Sequence, residues 1–317
     1  MNLLSAELGM AIAGLASLIA LGYGLSRMGW VGAEARPSVM RLILWVFFPA
    51  MIFNRVIGNP LIASGGQAVL YLGAGFLLIV TGYAVAAGVG AAAGVPPGSA
   101  RRTFAFAAGV NNFGYLGIPV TAALFDRDVV GVLLVHNVGV EAAVWTVGVA
   151  MLSGDSLRRG LRNLLQPMTV ALFVALAFNF TGLGFTAPVV FVSKVLQPVG
   201  DCAIPVGTIL SGMYLHELLG RFSLFRDPRV SIGVVVVRWV LMPPIVLGVV
   251  ACCVSDLPLR QVMLVQAAMP CGIFTFLIVE LFKGDALLSL RCSAVTMLLC
   301  LLVTPLWIKV GRVVLGL

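Results

Sequence analysis

From Leu70 to Gly90 the chain carries no charged side chain. As a helix rising 1.5 Å per residue, that stretch is about 31 Å long, the depth of a bilayer's hydrocarbon core. Similar apolar runs recur near 6–25, 39–57, 65–93, 103–125, 129–152, 167–182, 187–215, 230–254, 258–282 and 286–308, separated by short connections rich in charge, Pro or Gly. Composition agrees: 61% of the 317 residues are hydrophobic and 10% charged, where a soluble domain has about 25% charged. The expected fold is all-α and integral to the membrane, with ten transmembrane helices and little left over for a soluble domain.

The charge balance, 20 Lys+Arg against 12 Asp+Glu, would suggest nucleic-acid binding in a soluble protein. In a membrane protein, basic residues mark the cytoplasmic side. Connections after spans 1, 3, 5, 7 and 9 hold twelve: Arg27, Arg36, Arg41, Arg101, Arg102, Arg158, Arg159, Arg162, Arg221, Arg226, Arg229 and Lys283. The opposite side holds six: Arg55, Arg127, Lys194, Arg260, Lys309 and Arg312. The expectation is a multi-pass protein of a plasma membrane, the inner membrane of a bacterium, with both termini non-cytoplasmic and lipid, not nucleic acid, around it. The six cysteines show no metal-type spacing. There is no nucleotide loop or nucleophile elbow, so neither an enzyme nor a cofactor or metal is expected.

Two proline-bearing segments stand about half a chain apart. Pro119 closes N-N-F-G-Y-L-G-I-P, and Pro270 lies 151 residues later in A-A-M-P-C-G-I. Mid-helix Pro49 and Pro205 are likewise 156 apart. Five spans per half would make the halves antiparallel, so the pattern predicts two inverted five-helix repeats. Gly109, Gly114, Gly117 and Pro119 within one span predict a broken helix, since proline removes a backbone donor and glycine weakens the helix. In hydrocarbon, broken backbone is tolerated only where it is buried in protein or lines a cavity. One such kink is a common packing feature; two at matching positions favour a midplane ligand site, where helix ends attract an anion. Asn111 and Asn112 add neutral groups that either bond a carboxylate or replace lost backbone bonds. If helices 4 and 9 cross at their breaks, both asparagines fall near Pro270, Cys271, Gly272 and Ile273, with Gly272 permitting close backbone approach.

At these residues the sequence resembles the auxin efflux carrier family, which includes bacterial malonate-type carriers and the plant PIN carriers. The resemblance runs through A-L-G-Y-G-L-S-R-M-G-W-V at 20–31, F-F-P-A-M-I-F at 47–53, N-N-F-G-Y-L-G-I-P at 111–119 and M-P-C-G-I-F-T-F-L-I-V-E at 269–280. It implies an X-shaped crossover of helices 4 and 9, as in the sodium-coupled bile-acid symporters. It also implies scaffold helices 1–2 (1–62) and 6–7 (167–220) beside transport-domain helices 3–5 (63–153) and 8–10 (221–317), joined by a cytoplasmic linker (154–166) and moving like an elevator. Carried over by position, Asn111, Asn112, Pro119, Pro270, Cys271, Gly272 and Ile273 form the substrate site. In H-N-V-G-V-E-A-A-V-W, Glu141 stands where the plant carriers have a neutral Gln.

Five charges resist a boundary role: Glu141, Asp201, Arg238, Glu280 and Arg291. Intramembrane charge costs on the order of 3 kcal/mol unless paired. Glu141, 22 residues after Pro119, and Arg291, 21 after Pro270, are expected either to form a buried ion pair or to serve coupling, with Glu141 loading a proton and His136 a further titrating group. Arg238 and Glu280 are expected nearer the membrane surface. The expected function is secondary transport or uniport of a small organic anion, a carboxylate of auxin-like or dicarboxylate type, by elevator-type alternating access. The alternative is a sodium-coupled symporter of the bile-acid type. A second copy, packed through the scaffold helices, is the expected protein partner.

Overall fold

The computed structural model describes residues 2–153, 167–219, 227–273 and 275–317. The expected linker at 154–166, with Arg158, Arg159 and Arg162, and the basic residues Arg221 and Arg226 lie outside the described residues. Among the described residues every regular element is helical, and the one extended pairing is an isolated bridge between Asn111 and Cys271. In chain order the helices are α1 (Asn2–Arg27), α2 (Ala33–Val56), α3 (Gly65–Ala92), α4 (Ser99–Gly109), α5 (Gly117–Leu124), α6 (Arg127–Leu152), α7 (Pro167–Phe180), α8 (Ala187–Glu217), α9 (Pro228–Cys253), α10 (Leu257–Ala267), α11 (Thr275–Leu281) and α12 (Ala286–Leu315).

Six of these, α2, α3, α6, α8, α9 and α12, are long and apolar enough to cross a membrane, so the chain is a multi-pass membrane protein. The segments read as single spans at 103–125 and 258–282 are each divided, into α4 with α5 and α10 with α11. The segment at 167–182 forms the 14-residue α7. Large side chains such as Trp45, Phe191 and Leu302 are exposed on the long helices, as lipid-facing residues should be.

Local chemistry sets the helix starts. Ser64 and Gln67 form a reciprocal cap at α3: the Ser64 Oγ accepts from the Gln67 N–H at 3.2 Å, and the Gln67 Oε1 accepts from the Ser64 N–H at 3.2 Å. Asp227, Asp256 and Asp285 cap α9, α10 and α12 through their carboxylates, which accept from the N–H groups of Arg229, Leu259 and Leu288. Prolines inside long helices leave carbonyls to be satisfied elsewhere. In α9, Pro243 and Pro244 remove the two N–H groups that could reach the Trp239 carbonyl, the helix widens to a π turn over Val236–Leu241, and the Trp307 indole N–H donates to that carbonyl at 3.1 Å.

The chain divides into two compact units. The first comprises residues 1–74, 114–139 and 164–216. Within it α1 and α8 approach backbone to backbone, because a Cβ at Gly22 or Gly212 would run into the carbonyl oxygens of Ile209 and Ile19. The Asn59 Nδ2 ties α2 to α6 by donating to the carbonyls of Arg55 and Asp128 at 2.8 and 2.9 Å. The expected buried charge Asp201 is exposed instead and pairs with Arg55 at 3.2 Å. Residues 114–139, which include Pro119 and His136, belong to this unit.

The second unit comprises 75–113, 140–163 and 217–317. Its core gathers Ile79, Tyr83, Phe106, Val110, Val140, Val144 and Val279. Tyr83 stacks on Phe106 with ring centroids 5.7 Å apart. The backbones of Gly82 and Gly109 meet, leaving no room for a side chain on either. The residues of the two interruptions that bond to each other, Val110–Asn112 and Pro270–Gly272, lie in this unit.

Candidate functional site

The site starts from a missing donor. Pro270 has no N–H to give the Gln266 carbonyl four residues back, so α10 stops at Ala267. Four of the carbonyls around that stop find partners. The Asn111 Nδ2 donates to the Gln266 oxygen at 3.1 Å, which the Met269 N–H reaches only at 3.4 Å. Thr304 Oγ1 donates to Ala268 O at 2.8 Å. Arg238 donates to Met269 O through Nε at 3.2 Å and Nη2 at 2.7 Å. The Asn112 N–H donates to Pro270 O at 2.7 Å.

The other interruption supplies those amide partners. α4 ends at Gly109, and Val110 turns extended at φ −85°, ψ 123°. Val110 O accepts from the Gly272 N–H at 3.0 Å, which with the Asn112 bond makes an antiparallel bridge across the two breaks. A Cβ at Gly272 would sit 3.1 Å from the Asn111 carbonyl oxygen; the glycine allows the approach. Past the bridge, Cys271 N–H donates to Thr296 Oγ1 at 3.1 Å, while Thr275 and Ser293 hydroxyls both donate to Gly272 O, at 2.9 and 3.0 Å. Ile273 is buried beside them.

Of the residues singled out by sequence, Asn111, Asn112, Pro270, Cys271, Gly272 and Ile273 therefore come together. Pro119 lies in the first turn of α5 in the first unit. Asn111 fills the backbone-replacing role: its Nδ2 also donates to Gln266 Oε1 at 2.6 Å. The pair is buried, and Asn111 Oδ1 and Gln266 Nε2 have no partner among the described residues. That leaves one acceptor and one donor unused at the break.

The charges arrange themselves differently from expectation. Arg291 pairs with Asp227 at 3.4 Å rather than with Glu141. Depth explains this: Arg291 stands five residues into α12, whereas Glu141 is fourteen residues into the 26-residue α6. Glu141 is buried and makes no hydrogen bond or ion pair among the described residues. His136, also buried, lies with Nδ1 3.3 Å from Asn137 Oδ1, and its Nε2 has no partner among the described residues. Glu280 is exposed and Arg238 is not: at 1% exposure it is among the most deeply buried side chains. Sequence reasoning missed Gln266 as well. For Arg238 a signal was present, since ten residues of α9 precede it and fifteen follow, which places it in the middle of that helix.

A multi-pass helical protein with two interrupted helices bonded through their breaks has the construction of a membrane transport protein. The sequence pattern of the family described as membrane transport protein matches residues 8–160 and 156–308, and the chain belongs to this family, the auxin efflux carriers. It is similar to an uncharacterized transporter of Methanothermobacter thermautotrophicus, 24% identical over 296 residues that make up 92% of this chain and 94% of that protein. It is also similar to Protein PIN-LIKES 1 of Arabidopsis thaliana, 35% identical over 150 residues, 43% of this chain and 30% of that protein.

Proposed function

We propose that this transporter is a secondary carrier of a small organic anion, a carboxylate of auxin-like or dicarboxylate type, working by elevator-type alternating access without sodium. The reading takes ten spans in two inverted repeats, with α4–α5 and α10–α11 crossing at their breaks. The observation that carries it is the bridge between Val110–Asn112 and Pro270–Gly272. Irregular backbone inside a membrane needs a reason, and here four released carbonyls are satisfied one by one while a carboxamide donor and acceptor stay unused among the described residues. The start-to-start offset supports the repeat: α4 and α10 begin 158 residues apart, as do α5 and α11. Arg101 and Arg260 each cap the carbonyl six residues before them, on Val95 and Val254. Membership in the auxin efflux family favours this reading over sodium symport of the bile-acid type.

The test is uptake of radiolabelled mono- and dicarboxylates into liposomes containing the purified protein, with and without a sodium gradient. We expect sodium-independent uptake that N112A lowers at least tenfold while folded yield is unchanged. Strict sodium dependence would overturn the mechanism, and unaltered uptake by N112A would overturn the site.

A further inference from the structure

We infer that Arg238 is the specificity-determining cation of this site, selecting a carboxylate over its neutral amide isostere; the inference rests on the anion reading above. Arg238 lies at mid-depth of α9, about 15 Å from one end and 22 Å from the other by helix rise. Its side chain is fully buried, and among the described residues both of its hydrogen bonds go to one acceptor, the Met269 carbonyl. A guanidinium stays protonated in proteins, so a carbonyl dipole leaves its unit charge standing.

No carboxylate of the chain compensates that charge among the described residues. The ion pairs there join Arg55 to Asp201 and Arg291 to Asp227, and buried Glu141 makes no bond to Arg238. An uncompensated buried cation is strongly disfavoured. Capping alone does not explain it either. The two neighbouring orphan carbonyls, on Gln266 and Ala268, are satisfied by neutral donors, Asn111 and Thr304; only Met269 receives a charged one. The surplus charge stands next to Pro270, whose own carbonyl holds Asn112, and next but one to Cys271, which is bridged to Asn111. An anion entering at the break is the missing counter-charge.

The experiment compares thermal stabilisation and competition of uptake by two matched pairs, succinate with succinamide and benzoate with benzamide. The proteins are the intact wild type, R238Q and R238K. R238Q keeps an N–H for the Met269 carbonyl but removes the charge; R238K keeps the charge. We expect wild type and R238K to favour the carboxylates, and R238Q to lose at least tenfold of that preference with a ligand-free melting temperature within a few degrees of wild type. A folded R238Q that keeps the preference overturns the assignment. If R238Q does not fold, R238K decides: a folded R238K without the preference overturns it equally. A wild type that favours no carboxylate over its amide overturns the anion reading itself, and this assignment with it.

Discussion

The two interruptions occupy matching places in the chain and are built differently. The one after α4 mainly donates: the Asn111 carboxamide and the Asn112 N–H both reach across to the other segment, against one bond accepted, from the Gly272 N–H to Val110 O. The one after α10 accepts, through the carbonyls of Gln266, Ala268, Met269 and Pro270. The difference comes from where proline falls. Pro270 stands three residues beyond the end of α10 and strips that helix of a closing bond, whereas Pro119 sits inside the first turn of α5, where a missing N–H costs nothing. Like positions in the chain therefore carry breaks of unlike chemistry, and the asymmetry is what lets one break satisfy the other.

The largest expected effect tests the donor side. Gly109 ends α4, and a Cβ there would lie 2.6 Å from the Tyr83 ring and 2.9 Å from the backbone carbon of Gly82. Backbone cannot yield as a side chain can, so G109A should destabilise by about 3 kcal/mol, read by denaturant titration in micelles. A cost below about 1 kcal/mol would mean that the close approach does not fix the donor break.

A smaller effect tests the pairing itself. N111A leaves the buried Gln266 carbonyl without its main donor, and should cost about 2 kcal/mol. The same substitution made together with P270A should cost less, because an alanine there restores the N–H that α10 lacks. The double-mutant cycle should show about 1 kcal/mol of coupling. Additive costs would show that Asn111 is not replacing the bond proline removed.

Position of the breaks was legible in the sequence because its causes are local. Gly109, Gly114, Gly117, Pro119 and Pro270 act on their own turns, and Asn111 and Asn112 announce unsatisfied backbone. The partners were not legible, because they depend on packing across the chain. Arg238 reaches a carbonyl 31 residues away and Gln266 a side chain 155 residues away, and no periodicity encodes such a pairing. The expected Glu141–Arg291 pair failed for a related reason: matching offsets from two prolines say nothing of depth, and depth placed Arg291 within reach of Asp227.

The smallest effect is the sharpest test of unlike breaks at like positions. Ala267 ends α10 where Gly109 ends α4, 158 residues earlier. If the two ends were built alike, Ala267 too would face a backbone surface and a glycine would suit it. Instead Ala267 is a buried residue whose methyl is accommodated, at the foot of a helix held by carbonyl acceptors. A267G should therefore lose only a buried methyl and helix propensity, together about 1 to 2 kcal/mol, and should leave carboxylate uptake intact. G109A at the matching position should cost more, although it adds the methyl that A267G removes. A stabilising A267G would mean that the acceptor break is as sterically closed as the donor break, and that the division of labour between them lies in the hydrogen-bonding groups alone.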